Sequence, residues 1–361
     1  MLKYAIIGIS HPHTASLYGS LARYSDEVDC VGYVETPAHD AQDTEKKLRE
    51  NLGGAVDKLK RFDDWRGLAE LAPDFAVVCC DNAAAADVTL ELLERGISVA
   101  LEKPMTNDYK SAKRIADKAT EIRARGGKTF VAVNWPIAWF HAFNRAKELC
   151  DAGCIGRIMR VVYRSPATWG PYSYSPDGEN PPIEFLARTW WYRHERGGGS
   201  LLDYACYGSA LASWFFGRPA LGVKAIAKNF CLRGDSGEPA VDVEDYSAMI
   251  IDYGDGVGLL EGSWSTFNCG EIPSGPVIYG SGGTIVCDRH SNDCRLYVGR
   301  SHGPVKPTEV YTCPPEPDFC FGRNIIDHIV NNKPLHPLLD VDFNTEVMRI
   351  LDAGMRSAGL A

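Results

Sequence analysis

One apolar segment runs directly into two charged residues and a proline: Ile97-Ser98-Val99-Ala100-Leu101-Glu102-Lys103-Pro104. A short apolar run of this kind, bounded by polar residues, is typical of a buried β-strand. Ligands of open α/β sheets bind at the carboxyl ends of the strands. The segment therefore predicts that Glu102 and Lys103 lie at the ligand-binding edge of a sheet.

A second informative segment lies further along the chain and reads Gly197-Gly198-Gly199-Ser200-Leu201-Leu202-Asp203. Its glycines permit close approach of the backbone to another group. Residues 201–216 continue with helical spacing, so Asp203 and Tyr207, four residues apart, fall on one face of the predicted helix. Lys103, Tyr207 and Asp203 are the candidate catalytic residues, because together they supply a base, an acid and a carboxylate.

The start of the chain has the pattern of a βαβ unit. A short apolar strand, residues 4–7, ends at Gly8, residues 14–24 are helix-like, and residues 28–34 form a second strand followed by Glu35. This acid comes 27 positions after Gly8, close to the spacing of roughly 20 in dinucleotide-binding folds. Because a carboxylate accepts hydrogen bonds from a ribose diol and repels a 2′-phosphate, Glu35 favours NAD over NADP.

The glycine-rich fingerprint of such folds is weak here. The segment Gly8-Ile9-Ser10-His11-Pro12-His13 keeps only the first glycine of G-x-G-x-x-G. Its backbone N–H groups still suit a pyrophosphate at a helix N-terminus, although Pro12 lacks that donor. His11 and His13 either add positive charge near the phosphates or fill the space left by the missing glycines.

The chain resembles the glucose-fructose oxidoreductase and inositol dehydrogenase family (Gfo/Idh/MocA) over nearly its whole length. The resemblance rests on motifs in a fixed order: Asp74-Phe75-Ala76-Val77-Val78-Cys79-Cys80 with Asp81-Asn82, then Glu102-Lys103-Pro104, Asn134-Trp135-Pro136, Gly153-Cys154-Ile155-Gly156-Arg157-Ile158 and the triple-glycine segment. Each motif is weak alone, but their order and spacing together are specific.

The resemblance implies roles for individual residues. In the family, the lysine of Glu-Lys-Pro lies beside the nicotinamide and the substrate hydroxyl, and a histidine four residues after the helix aspartate commonly serves as acid/base. Here Tyr207 stands in place of that histidine and Ala210 in place of a further aspartate. The tyrosine resembles the glucose-fructose oxidoreductase and dihydrodiol dehydrogenase branch. Two further residues depart from the family pattern. Asp81 replaces the usual proline of the Thr-Pro-Asn turn, and Ala85 replaces a histidine often found there.

A tyrosine with an ordinary pKa of about 10 is a poor base. A lysine ammonium within ~4 Å contributes on the order of 4 kcal/mol at an effective dielectric near 20, which lowers that pKa by up to about 3 units. Lys103 beside Tyr207 would thus make a workable base, with Asp203 holding the substrate hydroxyl or the lysine, and Glu102 orienting Lys103. The predicted cofactor-binding residues are Gly8, Ser10, His11, Pro12, His13, Glu35, Cys80, Asn82, Glu102, Lys103 and Asn134.

Residues 163–194 are rich in aromatic side chains, interspersed with prolines and polar residues. Aromatic faces beside hydrogen-bonding groups suit a sugar ring, and the alternative is that these side chains pack a long loop or a subunit contact. The aromatic residues are Trp169, Tyr172, Tyr174, Phe185, Trp190, Trp191 and Tyr192. The predicted substrate-binding residues are Trp135, Trp190, Trp191, Arg193, Asp203 and Tyr207.

A chain of 361 residues suits two domains. Alternating strand and helix patterns predict an α/β fold, with a Rossmann-like, doubly wound NAD-binding domain over residues 1–130. Strand-like runs separated by turn signals predict an α+β domain over residues 131–361 with a large, mostly antiparallel sheet. The resemblance assigns substrate binding and oligomerisation to this domain. The family uses the open face of that sheet for subunit contacts, so a homodimer or homotetramer is implied by resemblance.

The net charge of −9 and the isoelectric point near 5.5 weigh against nucleic acid or an anionic membrane as a partner. The chain shows no signal-peptide pattern and no long apolar stretch, so we expect a cytoplasmic protein. Its 12 cysteines lack paired C-x-x-C spacing and are expected to be reduced thiols. No metal site is predicted, since His141, His194, Glu195 and Asp242 lack ligand spacing.

Three functions fit these patterns. The preferred one is an NAD-dependent oxidoreductase that acts on a ring hydroxyl of a sugar, polyol or glycoside. A hydrolase or lyase that cleaves glycosides with internally recycled NAD is the second. The third is a cofactor-binding regulator that has kept the fold without catalysis, although the joint presence of Lys103, Asp203 and Tyr207 argues against it.

Overall fold

The computed structural model describes residues 1–9, 11–35, 53–165, 186–232, 241–265, 273–299 and 305–360. The chain divides into two compact units. Unit 1 contains Met1–Trp135, Arg188–Gly198 and Pro317–Met348, and unit 2 contains Pro136–Ala187, Gly199–Glu316 and Arg349–Ala361.

Unit 1 is built on a parallel six-stranded sheet with the order β3-β2-β1-β4-β5-β6. This is the doubly wound order, in which the strand sequence reverses between β1 and β4. Strands β4, β5 and β6 are buried along their whole length, as expected for a parallel sheet covered on both faces. The strands are β1 Leu2–Ile7, β2 Val28–Val34, β3 Arg61–Phe62, β4 Phe75–Val78, β5 Ser98–Glu102 and β6 Val131–Asn134.

The helices of unit 1 begin with local capping bonds where the sequence supplies them. Asp64 and Asp108 accept hydrogen bonds from backbone N–H groups in the first turns of α2 and α4, at 2.9 and 2.8 Å. The helices are α1 Thr14–Ala22, α2 Trp65–Ala69, α3 Ala85–Glu94 and α4 Tyr109–Ala124.

A C-terminal segment completes unit 1. Helix α7, Phe321–Asn331, packs on α1 so closely that a Cβ on Gly322 would lie 2.4 Å from the carbonyl oxygen of Ser20. Arg323 in this helix forms an ion pair with Glu27 at 2.7 Å. Residues far apart in the sequence therefore share one core in this unit.

Unit 2 is built on a mixed eight-stranded sheet with the order β14-β13-β12-β11-β7-β10-β9-β8. Only the β7–β10 pair is parallel among the pairs that the described residues form. The helices of unit 2 are α5 His141–Asp151 and α6 Cys206–Phe216, and the last helix, α8 Val341–Ala358, begins in the unit 1 segment that ends at Met348 and continues in unit 2. The strands are β7 Ile158–Arg164, β8 Gly222–Lys228, β9 Tyr246–Asp252, β10 Val257–Ser263, β11 Val277–Gly280, β12 Gly283–Asp288, β13 Asp293–Val298 and β14 Glu309–Thr312.

The predicted fold class is confirmed: an N-terminal Rossmann sheet and a C-terminal, mostly antiparallel sheet. Strand β6 belongs to the first sheet, so unit 1 extends beyond residue 130 and gains two later segments. The predicted helix from Leu201 starts as a π-helical turn, Leu201–Ala205, before α6. No helix in the described part of the chain is both long and apolar enough to cross a membrane.

Candidate active site

The turn after β1 depends on the one glycine that the fingerprint retains. Gly8 has φ +82°, and a Cβ on it would lie 2.5 Å from the carbonyl oxygen of Cys79, just after β4. Both the positive φ and the close approach exclude a side chain there. Ser10, a predicted cofactor-binding residue, lies outside the described residues. Pro12 comes two residues before the first residue of α1, Thr14.

Glu35 lies at the end of β2, beside this turn. Its Oε2 accepts a hydrogen bond from the N–H of Ile9 at 3.1 Å. The carboxylate that was predicted to select NAD therefore contacts the glycine turn itself. Acid and turn lie together at the carboxyl edge of β1 and β2.

The end of β5 carries a hydrogen-bonded cluster that we call the histidine–glutamate cluster: His11, His13, Glu102 and Asn134. Nδ1 of His13 lies 2.6 Å from Oε1 of Glu102, and the amide of Asn134 donates to Oε2 of Glu102 at 2.8 Å. The N–H of His13 donates to Nδ1 of His11 at 3.1 Å. His11 and Glu102 are buried, whereas the side chain of His13 is 29% exposed.

Three members of this cluster, His11, His13 and Glu102, have potential metal-ligand atoms within 4.8 Å of one another. This grouping was not predicted, because Glu102 is 89 residues from His13 in the chain. Lys103 directly follows Glu102 and is buried, with 2% of its surface exposed.

The end of β4 contacts the triple-glycine segment within unit 1. The amide of Asn82 donates to the carbonyl oxygen of Gly197 at 2.7 Å. Gly197 has φ +78°, and a Cβ there would lie 2.7 Å from the Cβ atoms of Asn82 and Asn107.

Burial raises the pKa of the Cys80 thiol well above its ordinary value, which suits a small apolar filler rather than a reactive thiol.

Two tryptophans lie against His11. The rings of Trp190 and Trp191 stack with centroids 3.8 Å apart, and the Trp191 ring is 5.0 Å from that of His11. The buried indole N–H of Trp190 has no hydrogen-bond partner among the described residues. Arg193 is exposed, with a guanidinium nitrogen 3.7 Å from Glu195.

Trp135 has a different environment from that of the other predicted substrate residues. Its ring is fully buried, and its indole N–H donates to Oδ1 of Asn344 at 2.7 Å. The amide of Asn344 in turn donates to the carbonyl oxygens of Leu338 and Asp340. These contacts give Trp135 a structural role at the end of β6.

The aromatic residues Trp169, Tyr172, Tyr174 and Phe185 lie outside the described residues.

In unit 2, a buried glutamate supports the start of the predicted catalytic helix. Oε1 of Glu244 accepts a hydrogen bond from the N–H of Leu201 at 2.7 Å, and the N–H of Ser200 donates to the Glu244 carbonyl oxygen at 3.1 Å. Gly199 has φ +103°, and a Cβ on it would lie 2.6 Å from Oε2 of Glu244. Burial raises the pKa of Glu244 to about 7.

Asp203 and Tyr207 follow on this helix and are nearly buried. The indole N–H of Trp264 donates to Oδ2 of Asp203 at 2.9 Å, which fixes the carboxylate. Glu244 and Trp264 were not predicted from the sequence, since one acid just before β9 and one tryptophan just after β10 carry no signal of their own. Only the folded sheet brings them to the glycine segment.

Two family descriptions match the chain. Residues 2–126 match the oxidoreductase family with an NAD-binding Rossmann fold (GFO_IDH_MocA), and residues 143–286 match the GFO/IDH/MocA C-terminal domain. A search of curated protein sequences found no significant match.

Solved structures share the fold at low sequence identity. The WlbA dehydrogenase from Bordetella pertussis, in complex with NADH and UDP-GlcNAcA, has a TM-score of 0.72 at 17% identity, covering 99% of this chain and 96% of that one. Levoglucosan dehydrogenase in complex with NADH and levoglucosan has a TM-score of 0.72 at 17% identity, with 99% and 97% covered. The aldose-aldose oxidoreductase from Caulobacter crescentus, complexed with glycerol, has a TM-score of 0.71 at 18% identity, with 99% and 97% covered.

Proposed function

We propose, from the premise that this chain belongs to the Gfo/Idh/MocA oxidoreductase family, that it transfers a hydride between NAD and a ring hydroxyl of a sugar, polyol or glycoside. One observation carries the proposal. The glycine turn with Glu35, and the Glu102-Lys103 pair, lie at the carboxyl edge of the same parallel sheet. This edge is where such sheets bind dinucleotides.

The residues of unit 1 fit NAD. Gly8 permits the sharp turn after β1, because a side chain there would collide with Cys79. A turn at this position is where dinucleotide-binding folds hold the pyrophosphate. The Glu35 carboxylate suits a ribose diol, and the buried N–H of Trp190 offers a donor to a polar ligand group. Bound NAD supplies the hydride acceptor or donor.

The acid/base chemistry falls to Lys103, Tyr207 and Asp203. In the oxidative direction bound NAD would accept the hydride of the substrate C–H, and the proton released from the O–H group would pass to a base of the protein. We assign the acceptance of that proton to Lys103 and Tyr207, as the family resemblance implies. Asp203, held by Trp264, orients the substrate hydroxyl.

The substrate class follows from the aromatic pair and from the relatives. Stacked Trp190 and Trp191 offer an apolar surface next to His11, a combination that suits a sugar ring. The solved relatives bind UDP-GlcNAcA and levoglucosan, two carbohydrate ligands. We therefore place Trp190, Trp191 and Arg193 on the substrate side and leave Trp135 to its structural role.

The test is a panel of aldoses, inositols and glycosides, scored by NADH absorbance with NAD and with NADP, with product analysis in parallel. We expect NADH formation with at least one carbohydrate and a preference for NAD. A Lys103→Ala variant that folds and binds NAD should lose this activity. Glycoside cleavage without net NADH would instead support internally recycled NAD, and reaction only with simple alcohols or amino acids would refute the proposal.

A further inference from the structure

Two buried cysteines lie directly opposite each other on neighbouring strands of unit 2. In the antiparallel pairing of β12 with β13, Cys287 is the register partner of Cys294. Both side chains are fully buried. Opposite residues of an antiparallel pair place their side chains on the same face of the sheet, so the two thiols are neighbours although six residues separate them in the chain.

The backbone hydrogen bonds of both cysteines point away from this pair. The N–H of Cys287 donates to the carbonyl oxygen of Pro276, on the β11 side, at 3.1 Å. The N–H of Thr308 donates to the carbonyl oxygen of Leu296, on the β14 side, at 2.7 Å. Residues two positions apart on a strand direct their backbone groups to the same side, so Cys294 faces β14 as Leu296 does. The two cysteines are therefore a non-hydrogen-bonded pair, the type in which opposite side chains come closest.

This geometry fits a disulfide bond. Opposite Cβ atoms in such a pair lie about 4.5 Å apart, and a disulfide joins Cβ atoms that are about 3.5–4.5 Å apart. The thiol of Cys287 donates to the carbonyl oxygen of Ala142 in α5 at 3.7 Å, which holds the sulfur on the face of the sheet that α5 covers. A cross-link to Cys294 therefore needs rotation of the side chains but no movement of either strand.

The closed sheet protects the two thiols from reagents in solution. Burial, with the Cys294 thiol as a neighbour, raises the pKa of Cys287 well above its ordinary value, so its reactive thiolate is scarce in the closed sheet. Beyond β13 lies only β14, an edge strand of 4 residues, Glu309–Thr312, among the strands that the described residues form. Short edge strands open locally at a small free-energy cost, so reaction should follow the opening of β14.

We propose that Cys287 and Cys294 are a modification site for peroxides, which convert the pair into a cross-strand disulfide. The inference is independent of the proposed dehydrogenase function. First, one thiolate attacks an oxygen of hydrogen peroxide and the O–O bond breaks, which leaves a sulfenic acid and a hydroxide that takes the thiol proton to form water. The sulfur of the other cysteine then attacks the sulfenic sulfur, the S–S bond forms and the S–O bond breaks, and a second water is released. Two thiols are thereby oxidised and one peroxide is reduced.

The disulfide would join β12 to β13 across their hairpin. It closes the loop over residues 287–294 and so restricts the unfolded chain, which stabilises the folded protein when the native geometry is unstrained. For a loop of this length the effect corresponds to a rise of about 5 °C in Tm.

The test treats the full-length protein with hydrogen peroxide and then blocks the remaining thiols with N-ethylmaleimide. Mass spectrometry after non-reducing digestion should show a linked peptide pair that contains Cys287 and Cys294 and that dithiothreitol separates. Tm should rise by about 5 °C relative to Cys294→Ala treated in the same way, and the rise should disappear on reduction. Cys30→Ser, a substitution at a half-buried cysteine of unit 1, is the matched control and should keep both the link and the rise. The linked peptide is sought in the wild type itself, so this readout does not depend on how the variants fold.

Three results would overturn the assignment. Thiols that persist at Cys287 and Cys294 after the exposed Cys231 is fully oxidised would make the pair a packed part of the core and nothing more. A link from either cysteine to Cys150 or Cys313, two further thiols near Cys287, would show that the register partner is not the reaction partner. A link between Cys287 and Cys294 with an unchanged or lower Tm would show that the disulfide strains the sheet, and hence that the geometry does not fit it.

Discussion

Replacement of Glu244 by glutamine should change how the stability of the protein depends on pH. Glu244 is fully buried beneath the glycine segment, and this burial raises its pKa from 4.5 to about 7. Below pH 4.5 the carboxyl group is protonated in both the folded and the unfolded chain, so its contribution to stability is fully present. Between pH 4.5 and 7 the unfolded chain releases this proton while the folded chain keeps it, so the wild type loses stability as the pH rises.

The size of the loss follows from the shift. The difference between 4.5 and about 7, at 1.36 kcal/mol per unit, corresponds to about 3 kcal/mol in the free energy of unfolding. Glutamine has no proton to release, and its carbonyl oxygen can still accept the N–H of Leu201, which Glu244 accepts at 2.7 Å. We therefore expect Glu244→Gln to match the wild type near pH 4.5 and to exceed its stability by up to about 3 kcal/mol at pH 8.

Urea unfolding followed by tryptophan fluorescence, at pH 4.5, 6 and 8, measures this difference. Glu316→Gln, the same substitution at an exposed glutamate of unit 2, is the control and should follow the wild type at every pH. Parallel pH profiles for the wild type and Glu244→Gln would refute the reasoning, because they would mean that Glu244 titrates normally in the folded protein.

Four substitutions test the proposed site. Tyr207→Phe should fold and bind NAD yet lower kcat by roughly 10²- to 10⁴-fold. Lys103→Ala should be at least as damaging, and the two losses should not add, because the residues act as a unit. Near-normal turnover of Tyr207→Phe would exclude Tyr207 as the base. Glu35→Gln should reduce the ratio of NADP to NAD dissociation constants in calorimetric titration by about fivefold, since one charge repulsion is on the order of 1 kcal/mol. An unchanged ratio would remove Glu35 from cofactor selection. Trp264→Phe should lower kcat by about tenfold or more with an unchanged Kd for NAD, because a hydrogen bond to a charged group contributes about 1.5–3 kcal/mol, and full activity would show that Asp203 needs no such donor.

The Rossmann sheet could be predicted from sequence because its strands are continuous apolar runs. Strand β5 and Glu102 are an example, since the apolar run and the polar residue after it fix both the strand and its end. Strand β3 has only two residues, Arg61–Phe62, too few for any periodicity, and it was missed. Strands β13 and β14 were missed as well; they occupy the last two positions at one side of the second sheet.

The site could be predicted only where a motif places its residues next to one another. Glu102 and Lys103 were found in this way, and their predicted catalytic and cofactor roles stay predictions. The bond between Glu102 and His13 was not found, because 89 residues separate the two and the pairing depends on the order of strands. The hydrogen bond from Leu201 to Glu244 was missed for the same reason, since donor and acceptor are 43 positions apart in the chain.

The C-terminal segment Pro317–Met348 has a consequence for how the protein is made. Unit 1 starts at the first residue, but its α1 helix packs on α7, and Trp135 finds its acceptor on Asn344. A ribosome must therefore synthesise the chain as far as about Met348 before the nucleotide-binding unit can complete its core. For the same reason, a chimera that exchanges residues 1–135 alone would leave α1 uncovered, so grafts of this unit should carry the C-terminal segment with them.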